Sequence, residues 1–154
     1  MNPSSEVGSY TSTKNVGRGE ALTESENEGV VRKIFDDFNR RIDWFHYLAD
    51  DITYVDFAGN THDKKSVRKL FGSLVEAFPD CKGRIDRIIS KGNTVVIEYS
   101  LWGTHKKDWF GIPPTGKKIE YSAAEIYDFE GGKVKSLKNF QRTNDPIWMQ
   151  YLRE

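Results

Sequence analysis

Hydrophobic and polar residues alternate along two runs in the second half of the chain, at 93–105 and 117–129. Alternation of this kind predicts β-strands, because successive side chains of a strand point to opposite faces. In the first run, one face is apolar up to its last position and comprises Val95, Ile97, Tyr99, Leu101, Gly103 and His105. The Gly and Pro residues at 106–116 are typical of turns. The pattern predicts a long antiparallel hairpin whose core face ends in a histidine.

Earlier in the chain, apolar residues recur every three or four positions, which is typical of amphipathic helices. Helices are predicted from Val30 to about Asn39, at 42–48, and from about Lys64 to Pro79. Shorter apolar segments predict strands at 52–57, 82–90 and 133–143. This order predicts an α+β fold in which about three N-terminal helices pack on one face of a curved antiparallel sheet.

The N-terminal segment 1–28 is rich in Ser, Thr, Gly, Glu and Asn and poor in large apolar side chains. Such a segment buries too little apolar surface to offset the entropy lost on ordering. We therefore predict a disordered tail at 1–28 and one folded domain at 29–154. Near the other end, Asp145-Pro146 is a signal for the start of a helix.

Charges balance in this chain, with 23 Lys and Arg residues against 23 Asp and Glu residues. The composition therefore gives no sign of binding to nucleic acid or to an anionic lipid surface. No apolar run approaches the roughly 20 residues that span a bilayer, and the N-terminus lacks the apolar core of a secretory signal. Cys81 is the single cysteine, which excludes an internal disulfide. We expect a cytoplasmic protein.

Four motifs follow one another along the chain: LADDITYVDFAGN at 48–60, Phe-Pro-Asp at 78–80, Gly-Thr-His at 103–105 and GIPPTGK at 111–117. Together they resemble the SnoaL-like polyketide cyclases of the nuclear transport factor 2-like superfamily, over about residues 30 to 140. The resemblance implies a cone-shaped α+β fold around an aromatic-lined pocket for a small apolar molecule. It also implies acid–base chemistry without a metal or organic cofactor, and a homodimer formed through the outer face of the sheet.

His105 matches the histidine that, in these cyclases, handles a proton together with an acidic residue. A histidine has an ordinary pKa of about 6.5 and can give or take a proton near neutrality. A positioned acid or base contributes roughly 10²–10⁴-fold to a reaction rate. A histidine that binds a loop backbone group and shapes the turn is the slightly favoured alternative, and both interpretations are kept.

Glu125 is one candidate for the acidic partner, because it shares the apolar face of the second run with Tyr121 and Tyr127. A carboxyl group in such surroundings has a raised pKa, as a general acid or base requires. A structural glutamate that accepts a hydrogen bond from a tyrosine hydroxyl or pairs with a basic residue fits the pattern equally well.

Glu120 is closer to His105 along the hairpin, but alternation points it outward unless a β-bulge reverses the phase. If the hairpin is centred near Gly111, His105 lies opposite Lys117. Glu125 then lies roughly 25 Å from His105 at 3.3 Å per residue. Strand phase and register therefore do not provide a simple histidine–carboxylate pair.

Asp56 is a further candidate acid, because Tyr54 and Asp56 match a Tyr-x-Asp segment of the family. A carboxylate that caps the turn before Gly59 is the slightly favoured alternative. We predict a binding pocket without metal ligands, lined by Trp44, Tyr54, Tyr99, Trp109, Tyr121 and Asn139.

The last predicted strand departs from the family, whose members usually carry Glu-x-Trp followed by an acidic residue. This chain has Ser136, Lys138 and Arg142 there. On that alignment, Lys138 replaces an apolar wall with a cation, and either a changed substrate or a loss of catalysis would follow.

Three functions fit the sequence. The first is a cofactor-independent cyclase or isomerase that acts on a polyketide- or terpenoid-like carbonyl compound in a closed pocket. The second is a non-catalytic module that binds a small ligand or a partner protein, and the third is a dimeric assembly protein whose pocket is filled by side chains.

Overall fold

A computed structural model describes residues 23–142 of the chain. Within that range it contains two α-helices, one 3₁₀ turn and six β-strands. In chain order these are α1 (Glu24–Arg40), the 3₁₀ turn (Phe45–Tyr47), β1 (Leu48–Val55), β2 (Thr61–His62), α2 (Lys64–Ala77), β3 (Lys82–Lys91), β4 (Thr94–Thr104), β5 (Lys118–Glu130) and β6 (Lys133–Arg142). The predicted α+β class is confirmed, whereas the predicted C-terminal helix start lies outside the described residues.

Helix α1 begins before the position that hydrophobic periodicity predicts. Thr23 accepts a hydrogen bond from the backbone N–H of Glu26, and the Glu26 carboxylate accepts one from the backbone N–H of Thr23. This capping box satisfies two N–H groups that a helix start leaves without a partner. The helix therefore starts at Glu24 among polar residues, and the predicted start at Val30 is too late.

The segment 42–48, predicted as a helix, forms only the 3₁₀ turn and then enters β1. Trp44 and Phe45 of this segment are buried, and their rings stack at a centroid distance of 4.2 Å. A side-chain oxygen of Asp43 accepts a hydrogen bond from the Phe45 backbone N–H, which favours a local turn. The fold therefore has two α-helices where about three were expected. No helix within 23–142 is long and apolar enough to cross a membrane.

The strands form one curved, unclosed sheet in the order β2-β1-β6-β5-β4-β3. Neighbouring strands are antiparallel except for β1 and β6, which are parallel. The prediction of a wholly antiparallel sheet is therefore wrong at this pair, which joins the first strand to the last. The two-residue strand β2 was not predicted, because it is too short for an alternating pattern.

The β4–β5 hairpin has an unbroken register, and both predicted core faces are buried along it. Beyond the paired strands, the backbone N–H of His105 donates to the carbonyl of Lys117. His105 therefore lies opposite Lys117, as predicted. Glu125 pairs with Ile97, far along the hairpin from His105.

Helix α1 is fixed to the sheet by the side chain of Asn39. Its amide accepts from the backbone N–H of Gly83 and donates to the Gly83 carbonyl, both at 2.8 Å. The Phe35 ring lies only 3.2 Å from where a Cβ at Gly83 would stand, so a side chain there would crowd the ring. Helix α1 and strand β3 therefore approach each other closely at Gly83.

Gly103 provides a test of the packing between β4 and the segment after α2. A Cβ at Gly103 would lie 3.0 Å from Cys81 Cβ and 3.3 Å from Phe78 Cβ, and both neighbours are buried. Gly103→Ala should therefore lower the free energy of unfolding by about 1–3 kcal/mol. At Gly72 in α2 a Cβ meets nothing within 4 Å, so Gly72→Ala should raise it by up to about 1 kcal/mol. Urea denaturation measures both, and wild-type stability of Gly103→Ala would contradict the close contact.

Candidate active site

The side chain of Glu125 lies inside the fold and is held by three uncharged hydrogen-bond donors. Glu125 is only 4% exposed to solvent. The Tyr127 hydroxyl donates to Oε2 at 2.5 Å, the Tyr99 hydroxyl donates to Oε1 at 3.3 Å, and Asn139 Nδ2 donates to Oε1 at 3.0 Å. These partners come from β4, β5 and β6, so the register of the sheet brings the three donors together around Glu125.

Burial raises the pKa of Glu125, and the hydrogen bonds from Tyr127, Asn139 and Tyr99 oppose that rise only in part. Burial and the charge of Glu125 also raise the pKa of Tyr99 and of Tyr127 well above the ordinary value, so both remain donors. A carboxyl group with a raised pKa in an apolar interior can hold or accept a proton there.

Two small cavities lie between the helices and the sheet, and both are lined by Phe71 and Tyr99. The first cavity is lined by Glu125 and Tyr127 together with Ile34, Phe35, Phe38, Trp44, Gly83, Leu101 and Leu137. The second is lined by Tyr54, Asp56, Phe57, Leu70, Leu74, Trp109, Tyr121, Asn139 and Gln141.

Each cavity has a volume of about 40 Å³ open to the centres of water-sized spheres. One ordered water needs about 10–15 Å³ of such volume, so each cavity has room for a small organic group. Neither gives room for a polycyclic molecule, because aromatic side chains fill most of the interior.

All six predicted pocket residues are buried and line one or both cavities. Trp44 faces the first cavity, Tyr99 faces both, and Tyr54, Trp109, Tyr121 and Asn139 face the second. Sequence reasoning did not select Tyr127, the partner with the shortest hydrogen bond to Glu125, or Gln141. The shared face of Glu125 and Tyr127, two residues apart on one strand, was the available signal.

His105 is fully buried, and its contacts are those of the loop-shaping interpretation. Its Nδ1 accepts a hydrogen bond from the Thr115 backbone N–H at 3.2 Å, and the Thr115 hydroxyl lies 3.2 Å from the same atom. The ring stacks on Phe78 at a centroid distance of 5.0 Å. Its Nε2 has no hydrogen-bond partner within residues 23–142.

The structure does not bring His105 together with either candidate glutamate. Glu125 is separated from it along the hairpin, and no bulge interrupts the β4–β5 register between them. Glu120 pairs with Trp102 and is exposed on the outer face of the sheet, as alternation predicts. The histidine and Glu125 therefore occupy two different parts of the interior.

Asp56 is buried and anchors the turn after β1. Its carboxylate accepts hydrogen bonds from the backbone N–H groups of Ala58 and Asn60, and His62 Nε2 lies 2.8 Å from Oδ2. Burial acts to raise the pKa of Asp56, but the hydrogen bonds from His62, Asn60 and Ala58 outweigh it and lower the pKa. Asp56 also borders the second cavity, so its position combines the turn-capping role with access to the interior.

The basic residues of the last strand do not enter either cavity. Lys138 and Arg142 are exposed, and Lys138 pairs with Ile126 of β5. The expectation that Lys138 replaces an apolar wall of the pocket is therefore wrong, because alternation along β6 points Leu137, Asn139 and Gln141 inward instead.

Among residues 23–142, no cluster of His, Cys, Asp or Glu side chains is arranged to hold a metal ion. The family comparison gives a direct assignment, since the model of the SnoaL-like polyketide cyclases matches residues 29–140. The chain belongs to the SnoaL-like polyketide cyclase family. No curated protein matches it.

Solved structures of other proteins share this SnoaL-like fold. AclR from Streptomyces galilaeus superposes with a TM-score of 0.74 at 20% identity, over 83% of this chain and 85% of AclR. The SnoaL-like polyketide cyclase of Agrobacterium tumefaciens superposes with a TM-score of 0.63 at 14% identity, over 83% and 98% of the two chains. A protein from Acidithiobacillus ferrooxidans is 26% identical, with a TM-score of 0.64 over 86% and 97%. The nuclear transport factor 2-like fold is thereby confirmed.

The buried Glu125 carboxyl group of this SnoaL-like chain predicts a pH dependence of its stability that can be measured. Because folding raises the pKa of Glu125, the folded protein binds a proton at this carboxyl group more tightly than the unfolded chain does. In the unfolded chain the pKa of a glutamate is about 4.3. Between these two pKa values, rising pH lowers the free energy of unfolding. Glu125→Gln removes this titration, so its stability relative to the wild type should increase from about pH 4 to pH 7. Urea denaturation across that range measures the difference, and a constant difference would contradict the raised pKa.

Proposed function

We propose that this protein is a cofactor-independent cyclase or isomerase that moves a proton of a small apolar carbonyl compound. The observation that carries the proposal is the Glu125 carboxyl group, which lines an apolar cavity, has a raised pKa and is oriented by uncharged donors. Membership of the cyclase family supports the reaction class. We further propose that it acts in the cytoplasm.

In this proposal the Glu125 carboxylate accepts a proton from the carbon next to the substrate carbonyl. The carbon–hydrogen bond breaks, an oxygen–hydrogen bond forms on Glu125, and the electron pair moves to the carbonyl oxygen to give an enolate. An isomerase then returns the proton to another carbon, whereas a cyclase lets the enolate carbon attack a second carbonyl of the same molecule. General acid–base chemistry of this kind needs no metal or organic cofactor.

The tyrosine hydroxyl groups supply the electrostatic part of the proposal. Tyr99 lines both cavities and donates to Glu125, so its hydroxyl lies beside the carboxyl group that takes the proton. The single proton of the Tyr99 hydroxyl first bonds the Glu125 carboxylate, and it can turn to the developing oxyanion once Glu125 has taken the substrate proton. A neutral donor with a raised pKa stabilises that oxyanion without giving up its proton. His105 has no direct part in this step, since it lies elsewhere along the hairpin.

A second candidate function is non-catalytic binding of a small ligand. One reason that favours it is the small size of the cavities, about 40 Å³ each. The other is that Glu125 already accepts three hydrogen bonds within the protein. Binding of this kind does not require Glu125 to change its protonation state, so the two functions differ in what Glu125→Gln does.

Proton exchange in D₂O separates these functions. We expect the wild-type protein to accelerate the exchange of α-protons in small aromatic and cyclic ketones, with acetophenone and cyclohexanone as first probes, followed by proton NMR. Glu125→Gln should reduce that rate by about 10²-fold or more, because it removes the base. Glu120→Gln is the matched control, since Glu120 is exposed on the outer face, and it should retain the full rate.

Equal rates for the wild type and Glu125→Gln would contradict the catalytic proposal. Thermal unfolding of both proteins must show that each is folded under the assay conditions. Ligand binding that survives in Glu125→Gln, without any exchange by the wild type, would favour the non-catalytic function.

We also propose that the protein forms a homodimer through the outer face of its sheet. Large apolar residues are exposed on that face: Ile89 of β3 at 58%, Val96 of β4 at 37% and Phe140 of β6 at 58%. Ile89 pairs with Val96 in the sheet, so the apolar surface spans neighbouring strands. Exposed apolar patches on a sheet commonly mark contacts between protein chains.

Replacement of Phe140 by lysine tests this dimer. Phe140→Lys introduces a charge that would be buried between two copies, so the protein should elute as a monomer at concentrations where the wild type is a dimer. Light scattering coupled to size-exclusion chromatography gives both masses. Lys69→Ala, at an exposed position of helix α2, serves as a surface control. A monomeric wild type would contradict the dimer.

A further inference from the structure

The second cavity contains two polar atoms that have no hydrogen-bond partner within residues 23–142. They are Asn139 Oδ1, an acceptor, and Gln141 Nε2, a donor. Asn139 is 6% exposed, and the Gln141 nitrogen is itself buried although its residue is only partly so. Buried polar groups are nearly always paired, so two unpaired ones in one cavity indicate that a ligand or water occupies it.

The orientation of the Asn139 amide follows from its other contacts. Its Nδ2 donates to Glu125 Oε1 at 3.0 Å and to the Tyr99 hydroxyl at 2.9 Å. A flipped amide would place Oδ1 against the carboxylate, where two acceptors repel each other. The contact with the Glu125 carboxyl group therefore fixes the orientation of the amide, and Asn139 Oδ1 remains as the acceptor in the second cavity.

Asn139 and Gln141 lie two residues apart on β6, so their backbones are about 6.6 Å apart along one face of the strand. Gln141 pairs with Ala123 of β5, a residue with a small side chain. The remaining walls are mainly aromatic and include Tyr54, Trp109 and Tyr121. A flat ring with a polar group at each end matches this arrangement of an acceptor, a donor and apolar walls.

We propose that Asn139 and Gln141 form a specificity pair that recognises a hydroxyl group and a carbonyl group on one small cyclic molecule. The ligand hydroxyl donates to Asn139 Oδ1, and the ligand carbonyl accepts from Gln141 Nε2. This inference rests on the proposed function, because it takes the ligand of the second cavity to be the substrate. It assigns the substrate a hydroxyl group at Asn139, next to Glu125, and a carbonyl group at Gln141 that is distinct from the carbonyl beside which Glu125 takes the proton.

Three ligands of nearly equal size test the pair on the full chain. 4-Hydroxyacetophenone carries both groups, 4-methoxyacetophenone lacks the donor, and 4-ethylphenol lacks the acceptor. Isothermal titration calorimetry should show that the wild-type protein binds 4-hydroxyacetophenone about tenfold or more tightly than either relative, because each relative leaves one buried group unpaired.

Substitution of the donor gives the matched test. Gln141→Leu keeps a side chain of similar length and removes the amide, so 4-hydroxyacetophenone and 4-ethylphenol should then bind with nearly equal affinity. Lys138→Leu, on the opposite face of the same strand, should keep the wild-type preference. The preference among ligands is measured on wild-type protein alone, so the test survives even if Gln141→Leu does not fold.

Absence of 4-hydroxyacetophenone binding, equal affinity for the three ligands, or a preference that persists in Gln141→Leu would each overturn the inference and leave ordered water as the occupant. The proton-exchange assay separates this result from the proposed function. Wild-type protein that shows the preference without exchanging α-protons contradicts the catalysis alone, and exchange without the preference contradicts the specificity pair alone.

Discussion

The carboxyl group of Glu125 is the constraint on which the interior of this protein depends. An ionised carboxylate cannot lie in an apolar core without hydrogen bonds, because its desolvation would otherwise force it to bind a proton. Tyr99, Tyr127 and Asn139 supply those bonds from three adjacent strands. Burial still raises the pKa of Glu125 against these bonds, and the balance of the two leaves a carboxyl group that can hold or release a proton.

Asn139 links this carboxyl group to the second cavity. One end of its amide donates to Glu125, and the other end is an acceptor that no group in the described part of the chain pairs with. Protonation of Glu125 and occupation of the second cavity therefore act on one side chain. A ligand bound at Asn139 lies next to the groups that hold the proton, which gives the two small cavities a physical reason to work as one site.

The Gly-Thr-His motif and the buried carboxyl group lie in different parts of the hairpin. His105 anchors the 105–117 segment through Thr115, whereas Glu125 lies opposite Ile97. A motif identifies the family through residues that shape a turn as readily as through residues that react. We therefore propose Glu125 as the reacting group in this chain.

Strand alternation in the sequence determined which residues of the hairpin face the core, including Glu125, and which, like Glu120, face outward. That result is local, because the direction of a strand side chain depends only on its position along the strand. The parallel pairing of β1 with β6 and the hydrogen bonds from Tyr99 and Asn139 to Glu125 were decided only by the tertiary structure. They join residues far apart in the chain, and a sequence pattern contains no distance between such residues. The capped start of α1 and the 3₁₀ turn at Phe45–Tyr47 depend instead on local hydrogen bonds between side chains and the backbone, which hydrophobic periodicity does not reflect.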